Sequence, residues 1–476
     1  MQADDILGSI RVQDIRAEAF RRKFFDFIVD TPKGRHEKQE EALQILTDDE
    51  TEEFLYGGAA GGAKSWTGAT WLLFMAYNHP GTRWFIGREE LKRITESTLI
   101  TFFKVSAAYG FSDEWRFNAQ KNFIQFHNGS RIDLLELKYL PRDPMYERFG
   151  STEYTGGWIE EAGEINFGAY DVLRTRVGRH YNEKYGIIGK IFITANPKKN
   201  WIYTTFYKPW KDNVLPDLMK FLQAFVYDNP HIDKGYVERL KRTKDKVKRE
   251  RLLKGNWEYD DDPTALCNYD AICAMFTNKQ VQRTGKHYIT ADIARFGADK
   301  ALIAVWDGWV IVELVVYDKS KTTVIQDKID SLRSKYNIPA DRCIADEDGV
   351  GGGVVDNCGI KGFVNGSRPL KEKIGGQKKK ETPKYKNLQT QCGYKVADMI
   401  NGYGVHIACD VSEQDKETIK EDLGELKRDK VDDDTMLHLK SKEDIKNDIG
   451  RSPDWRDLIL MRYWFELETP FVIAMN

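Results

Sequence analysis

The chain has 476 residues, of which 41% are hydrophobic and 31% charged, with a formal net charge of −2. That length exceeds the roughly 250–300 residues one core usually fills, so more than one domain is expected, and the near-zero charge excludes a uniformly basic nucleic-acid coat while leaving room for a local basic channel. No apolar run reaches the ~18 residues of a membrane span, and Met1-Gln2-Ala3-Asp4-Asp5 lacks the basic and apolar regions of a signal peptide, so a cytoplasmic location is the default. The cysteines, Cys267, Cys273, Cys343, Cys358, Cys392 and Cys409, form no CxxC pair, which argues against a disulfide framework or a zinc site.

Taken in chain order, residues 1–50 read as a charged, mostly helical segment. From 51 to 257 short apolar runs alternate with helical stretches. Phe54–Tyr56, Arg83–Gly87, Arg131–Leu135, Trp158-Ile159 and Ile191–Thr194 read as strands of a parallel sheet covered by helices. Tyr236–Lys254 reads as one basic helix, closed by Gly255. Residues 258–283, opened by Asp260-Asp261-Asp262-Pro263, read as a linker. A second α/β pattern occupies 284–476, with strands at His287–Thr290, Ala301–Val305, Val310–Val316 and Arg342–Ala345.

Gly57-Gly58-Ala59-Ala60-Gly61-Gly62-Ala63-Lys64-Ser65 follows a strand and precedes a helix-like run, Trp66–Tyr77. Small residues such as Gly58, Gly61 and Gly62 let backbone N–H groups curl around phosphate oxygens, and the helix N-terminus adds its dipole. Lys64 is expected to reach the β- and γ-phosphates of a nucleoside triphosphate, and the Ser65 hydroxyl to ligate Mg²⁺. The usual glycine before the lysine is Ala63, so that position must tolerate a Cβ. Two acids end the next candidate strand: Glu160 to hold Mg²⁺ through water, Glu161 to activate the attacking water. Asn196, at the tip of Ile193-Thr194-Ala195-Asn196-Pro197, is placed to contact the γ-phosphate. Gln39 lies upstream of the loop, where an adenine-contacting residue belongs. Arg142 and Arg148 are candidate arginine fingers acting on a neighbouring subunit, set against surface salt-bridge roles.

In the second half, Asp292 ends a strand, Asp346 ends another, and Asp454 and Asp457 share one face of a late helix at i, i+3. Such acids can converge on two Mg²⁺ or Mn²⁺ ions for phosphodiester cleavage. Asp346 is preferred over Glu347 and Asp348 because it ends the apolar run directly, and Asp299 is an auxiliary candidate. The lysine cluster that includes Lys378, Lys379 and Lys380 is a candidate contact for a phosphate backbone, set against a solvated loop.

The ordered set of Gly-Gly-Ala-Ala-Gly-Gly-Ala-Lys-Ser, Trp-Ile-Glu-Glu-Ala, Thr-Ala-Asn-Pro, Asp228-Asn229-Pro230, Leu253-Lys254-Gly255-Asn256-Trp257 and three separated acids resembles the large terminase subunit of tailed bacteriophages. The resemblance implies a P-loop (ASCE-type) ATPase domain followed by an RNase H-like nuclease domain. On it, Lys64 and Ser65 match the Walker A residues, Glu160 and Glu161 the Walker B pair and Asn196 the coupling motif, while Asp292, Asp346 and Asp457 match the nuclease acids. It further implies ATP-driven translocation of double-stranded DNA into a procapsid with cleavage of concatemeric DNA. The implied partners are a portal protein, a small terminase subunit and further copies of the chain in a pentameric ring, in the cytoplasm of an infected cell and with no membrane. The competing expectations are a nucleotide-switch DNA-binding protein with an inert RNase H-like scaffold, which Glu161 argues against, and a cellular helicase-nuclease, for which further helicase motifs are lacking.

Overall fold

A computed structural model describes residues 33–468 apart from 245, 259–261, 295–299, 319, 349–350, 373–383 and 430–435. Most of the helical segment expected over 1–50 lies outside the described residues, as do Asp299 and Lys378–Lys380. The chain divides into two compact units, Met1–Asp260 and Asp261–Asn476.

In the first unit, helix α1 (Glu37–Thr47) precedes strand β1 (Glu53–Gly58), and helix α2 (Lys64–Asn78) leads to β2 (Arg83–Arg88). Helix α3 (Leu99–Ala108) and a hairpin of β3 (Trp115–Asn118) and β4 (Phe123–Phe126) come before β5 (Arg131–Glu136) and β6 (Gly156–Ile159). Helix α4 (Phe167–Arg174), β7 (Ile191–Ala195), β8 (Met219–Ala224) and helices α5 (Lys234–Lys241) and α6 (Lys246–Leu252) complete the unit. The sheet order is β3-β4-β5-β2-β6-β7-β1-β8, parallel throughout except for β4, which runs antiparallel to both β3 and β5 at one edge. One strand, β7, separates β1 from β6, which is the strand order of an ASCE-type P-loop domain. Helices cover both faces, so β6 and β7 are buried at every residue and read as continuous apolar runs. Helix α2 lies on the sheet with Trp71 edge-on to Trp84 at 5.5 Å. Its Gly68 is required by packing, because a Cβ there would lie 2.5 Å from the Trp158 ring. The single basic helix expected over 236–254 is two helices, α5 and α6, because the chain turns at Arg242-Thr243.

The second unit begins with helix α7 (Tyr269–Ala274), followed by β9 (His287–Asp292), β10 (Ala301–Asp307) and β11 (Val310–Tyr317). Helix α8 (Thr322–Tyr336), β12 (Cys343–Asp346), helix α9 (Gly352–Cys358) and β13 (Lys361–Phe363) come next. After helix α10 (Leu388–Asn401) and β14 (His406–Ile407) come helices α11 (Glu413–Gly424), α12 (Lys442–Ile449) and α13 (Asp454–Leu460). The sheet order is β13-β12-β9-β10-β11-β14, with β10 antiparallel to both neighbours and β12 parallel to β9. This is an RNase H-like sheet. Strand alternation sends Ile289, Ala291, Ile303 and Val305 to a core shared with α8 and α9. It sends Tyr288, Leu302, Ala304 and Trp306 to a core shared with α10, α11 and α13. The segment 258–283 is not a bare linker, because Cys267, Ala271, Ile272 and Met275 are buried in that second core.

Candidate functional site

The phosphate loop is held in shape by its backbone and by the segment 252–257. Gly58 has φ +141°, and a Cβ there would lie 2.0 Å from the Ala224 carbonyl oxygen. Ala63 adopts φ 60°, in the left-handed region, and caps α2 by its backbone. The departure from glycine at this position therefore keeps the loop conformation at the cost of a strained alanine. Ala60 N–H donates to the Leu252 carbonyl at 2.9 Å, and Ala59 N–H to Ala224 at 2.8 Å. Gly57 packs so closely on Trp257 that a Cβ would meet its ring at 2.4 Å. The Leu253–Trp257 motif thus backs the loop, which spacing alone did not reveal.

Lys64 is 8% exposed. Its ammonium donates to the Ala59 carbonyl at 2.6 Å, the Gly58 carbonyl at 3.2 Å and Asn196 Oδ1 at 3.2 Å. Burial pulls its pKa down to about 8, against the fields of Glu161 and Glu160. Asn196 uses its other group on Glu161, donating from Nδ2 to Oε2 at 3.3 Å. Lys64, Asn196 and Glu161 therefore form one hydrogen-bonded line across the ends of α2, β7 and β6. Burial raises the Glu161 carboxyl above its ordinary range and Glu160 adds to this, while Lys64 opposes it. Glu161 itself sits at φ 52°, immediately after β6.

Glu160 points elsewhere. It accepts from the Thr98 hydroxyl and lies 3.7 Å from Arg88, in a buried cluster. Arg88 and Thr98 carried no motif that would have announced them in the sequence.

These groups open on a cavity of about 760 Å³, lined by Gln39, the loop from Ala60 to Trp66, Glu161, Asn196 and a wall from Asn229 to Arg239. Gln39, 5% exposed on α1, lines this cavity. Arg148 is not available as a free arginine: it pairs with Asp143 at 2.6 Å and donates to the Lys138 carbonyl at 2.7 Å. Arg142 is exposed.

In the second unit, Asp292 and Asp346 stand at the ends of adjacent strands β9 and β12, and Asp454 and Asp457 lie in the first turn of α13. Asp292, Asp454 and Asp457 are all buried. Burial raises the Asp292 carboxyl well above its usual range, and Asp454, Asp457 and Asp346 add to this in that order, against Lys442. Asp346 is raised to about 6, chiefly by burial. Burial would also raise Asp457, but Arg456 and Lys442 overcome it and hold the carboxyl below its ordinary value. Arg456 Nη2 donates to Asp457 Oδ1 at 2.8 Å, and Lys442 Nζ lies 2.9 Å from Asp457 Oδ2 and 3.9 Å from Asp454 Oδ1. Asp454 is thus a full member of the cluster, and Lys442, which no spacing pointed to, is its internal counter-ion. Asp348 accepts both the Asn365 backbone and side-chain N–H groups, at 3.2 and 2.9 Å, and its own N–H donates to Asp346 Oδ1 at 3.1 Å.

Among the described residues no three His, Cys, Asp or Glu side chains already meet as a metal-ligand set. Two features still fit a hard divalent cation: an all-carboxylate donor set, and acids whose mutual repulsion in a buried site calls for added positive charge. Lys442 and Arg456 occupy Asp457 in the meantime. Asp422, fully buried, accepts from Arg451 and from the Trp455 N–H at 3.0 Å, so it fixes the start of the helix that carries Asp454 and Asp457.

A family model described as phage terminase large subunit matches residues 50–255. No curated protein matches the chain. Among solved structures, the chain is similar to the large terminase of a thermophilic bacteriophage in complex with ADP. The identity is 14%, over 88% of this chain and 98% of that one, with a TM-score of 0.39. It is also similar to the nuclease domain of the large terminase subunit gp2 of bacterial virus Sf6, at 17% identity over 43% of this chain and 99% of that one, with a TM-score of 0.37. A manganese-bound lysine-to-alanine mutant of that domain is matched at 17% identity, over 43% of this chain and 100% of that one, with a TM-score of 0.36. The resemblance read from the motifs thus recurs in an independent comparison of the first unit.

Proposed function

We propose that this chain, similar to phage terminase large subunits through residues 50–255, is a viral DNA-packaging motor: an ATPase that translocates double-stranded DNA into a procapsid and a metal-dependent endonuclease that cuts concatemeric DNA. The observation that carries the reading is the line Lys64–Asn196–Glu161 along the cavity wall. A binding-only site needs the lysine. A site that hydrolyses also needs a nearby carboxylate with raised proton affinity to take the water's proton.

In this reading Lys64 is preorganised by Gly58 and Ala59 for the β- and γ-phosphates, and Gln39 contacts the base. Glu161 orients the attacking water and accepts its proton. Asn196 links Lys64 to Glu161, so release of the γ-phosphate is felt at the tip of β7. Ser65 would hold Mg²⁺, which when bound neutralises phosphate charge; Glu160, expected from the sequence to hold the ion through water, is instead engaged by Thr98 and Arg88 and does not line the cavity. In the second unit Asp292, Asp346, Asp457 and Asp454 would hold Mg²⁺ or Mn²⁺, which supplies Lewis-acid stabilisation of phosphodiester cleavage. Lys442 and Arg456 keep Asp457 ionised until then. The protein would act in the cytoplasm of an infected cell and at the portal vertex, with a portal protein, a small terminase subunit and further copies of itself in a ring. Lys378–Lys380 are the candidate DNA contacts.

The test crosses two variants. Lys64→Ala should abolish ATP hydrolysis and keep Mn²⁺-dependent cutting of plasmid DNA. Asp292→Ala should do the reverse. Normal ATP turnover by the first, or normal cutting by the second, removes the corresponding assignment.

A further inference from the structure

Helix α5 is part of the nucleotide cavity and not one more surface helix. Asp233 caps it, accepting the Tyr236 N–H at 3.0 Å. Behind it, Val237 and Leu240 pack with Val226, Leu253 and Ala59 of the phosphate loop in a small core of their own. In front, Ile232 and Tyr236 lie over Gly61: a Cβ on that glycine would meet Ile232 Cδ1 at 2.3 Å and Tyr236 Cε1 at 3.5 Å. Just ahead of the helix, Asn229 donates to the Gly61 carbonyl at 2.6 Å. The helix is therefore fastened to the middle of the phosphate loop, and Arg239, one turn further along, faces the same cavity.

Charge gives that residue a task. Of the cavity-lining side chains, Lys64 and Arg239 are the lysine and arginine cations, and Glu161 and Asp233 are the acids. A triphosphate adds several negative charges to a wall that is balanced without it. Lys64 already serves three acceptors of the protein. Arg239 has the reach: its side chain is 70% exposed, and its nearest acid, Asp233, is 3.6 Å away, outside close hydrogen-bond range. A guanidinium stays protonated at any working pH and matches phosphate oxygens with two parallel donors. Arg148, proposed from the sequence for such a role, is committed to Asp143 and the Lys138 carbonyl.

We propose that Arg239 is a catalytic arginine supplied in the same chain as Lys64, closing from α5 onto the nucleoside triphosphate and stabilising the charge that develops on the transferring phosphoryl group. The proposal rests on the ATPase reading. In the step concerned, water adds to the γ-phosphorus, the bond to the β-phosphate oxygen breaks, and ADP and inorganic phosphate leave. The water's proton goes to Glu161, and Arg239 transfers none.

The experiment measures phosphate release from ATP, with double-stranded DNA present, by the full chain and by Arg239→Ala, Arg239→Lys and Lys64→Ala. ADP affinity and thermal stability are measured alongside. Arg239→Ala should lose roughly 10³-fold or more in kcat, by analogy with other phosphoryl-transfer arginines. Its ADP affinity and melting temperature should be unchanged, and Arg239→Lys should recover part of the loss. A merely structural arginine would instead lower stability and ADP affinity together. Mixing Arg239→Ala with Lys64→Ala separates the two geometries: the mixture stays inactive if the arginine serves its own chain, and restored turnover overturns that statement. Wild-type turnover by Arg239→Ala overturns the proposal and leaves the ATPase reading intact. A wild-type chain that neither binds ADP nor releases phosphate removes the ATPase reading itself.

Discussion

The two candidate sites centre on buried groups of opposite charge. At the phosphate loop the ammonium of Lys64 sits among carbonyl and amide acceptors, and burial draws its pKa down to about 8. In the second, four carboxylates crowd the ends of β9 and β12 and the start of α13, and burial drives Asp292 and Asp346 upward. Each site is held away from its comfortable protonation state, and in the proposed function each would be relieved by a ligand of the opposite charge: phosphate in one, a divalent cation in the other. The difference shows in the counter-ions. The lysine is satisfied by neutral groups, two carbonyls of its own loop and Asn196 at the end of β7, whereas the acids take Arg456 from their own helix and Lys442 from α12.

The largest effect expected from breaking this contrast is on the second unit's stability. Asp422→Ala leaves Arg451 buried without its main partner and frees the Trp455 N–H. A loss of about 3 kcal/mol is expected, the low end for a broken buried pair because Glu421 still reaches Arg451 at 2.5 Å. Urea unfolding of the full chain reads this; a transition at the wild-type midpoint would show that the pair does not anchor α13.

A smaller effect is expected at Arg148. Arg148→Ala removes the bonds to Asp143 and Lys138 and should cost about 1–3 kcal/mol with ATP turnover unchanged. A collapse of turnover at unchanged stability would restore it as an arginine finger.

The third prediction concerns pH. With its carboxyl raised from 3.8 to about 6, Asp346 binds a proton more tightly folded than unfolded. In the metal-free protein its contribution is fully present below about pH 4 and is lost as pH rises through 6. A divalent cation competes with that proton, so the rise in melting temperature on adding MnCl₂ should be small below pH 6 and larger above it. A pH-independent rise would place the metal elsewhere.

The smallest effect is at the loop. Ala63→Gly relieves a left-handed alanine but loosens the unfolded chain, so stability should shift by less than about 1 kcal/mol, with ADP affinity retained. A large loss of ADP affinity, read by calorimetry, would mean that the Ala63 methyl shapes the loop.

Much of the framework was legible because its signals are local. Five strands of the first unit and four of the second carry apolar runs that need no partner to be recognised. β8 was missed, since Met219–Ala224 mixes Lys220 and Gln223 into a half-buried edge strand. The β3–β4 hairpin was missed for a similar reason: no residue of β3 is fully buried, and β4 alternates between partial and full burial. The phosphate loop was legible because nine consecutive residues, a strand and a helix must coincide to make it. Its backing by Trp257 was not, since that contact spans 200 residues between Gly57 and Trp257.

The acids of the second unit mark the boundary between the two kinds of knowledge. The sequence by itself determined which carboxylates end apolar strands and which share a helical face, because strand alternation and helix periodicity act over a few residues. Only the tertiary structure decided that Asp454 joins the cluster, that Asn365 bridges Asp346 and Asp348, that Glu160 faces Thr98 and Arg88 while Glu161 faces the cavity, and that Lys442 lies among the acids. The physical reason is the range of the forces involved. Backbone periodicity is set by neighbours along the chain, whereas a buried charge takes whichever counter-charge the packed helices and strands bring within a few ångströms.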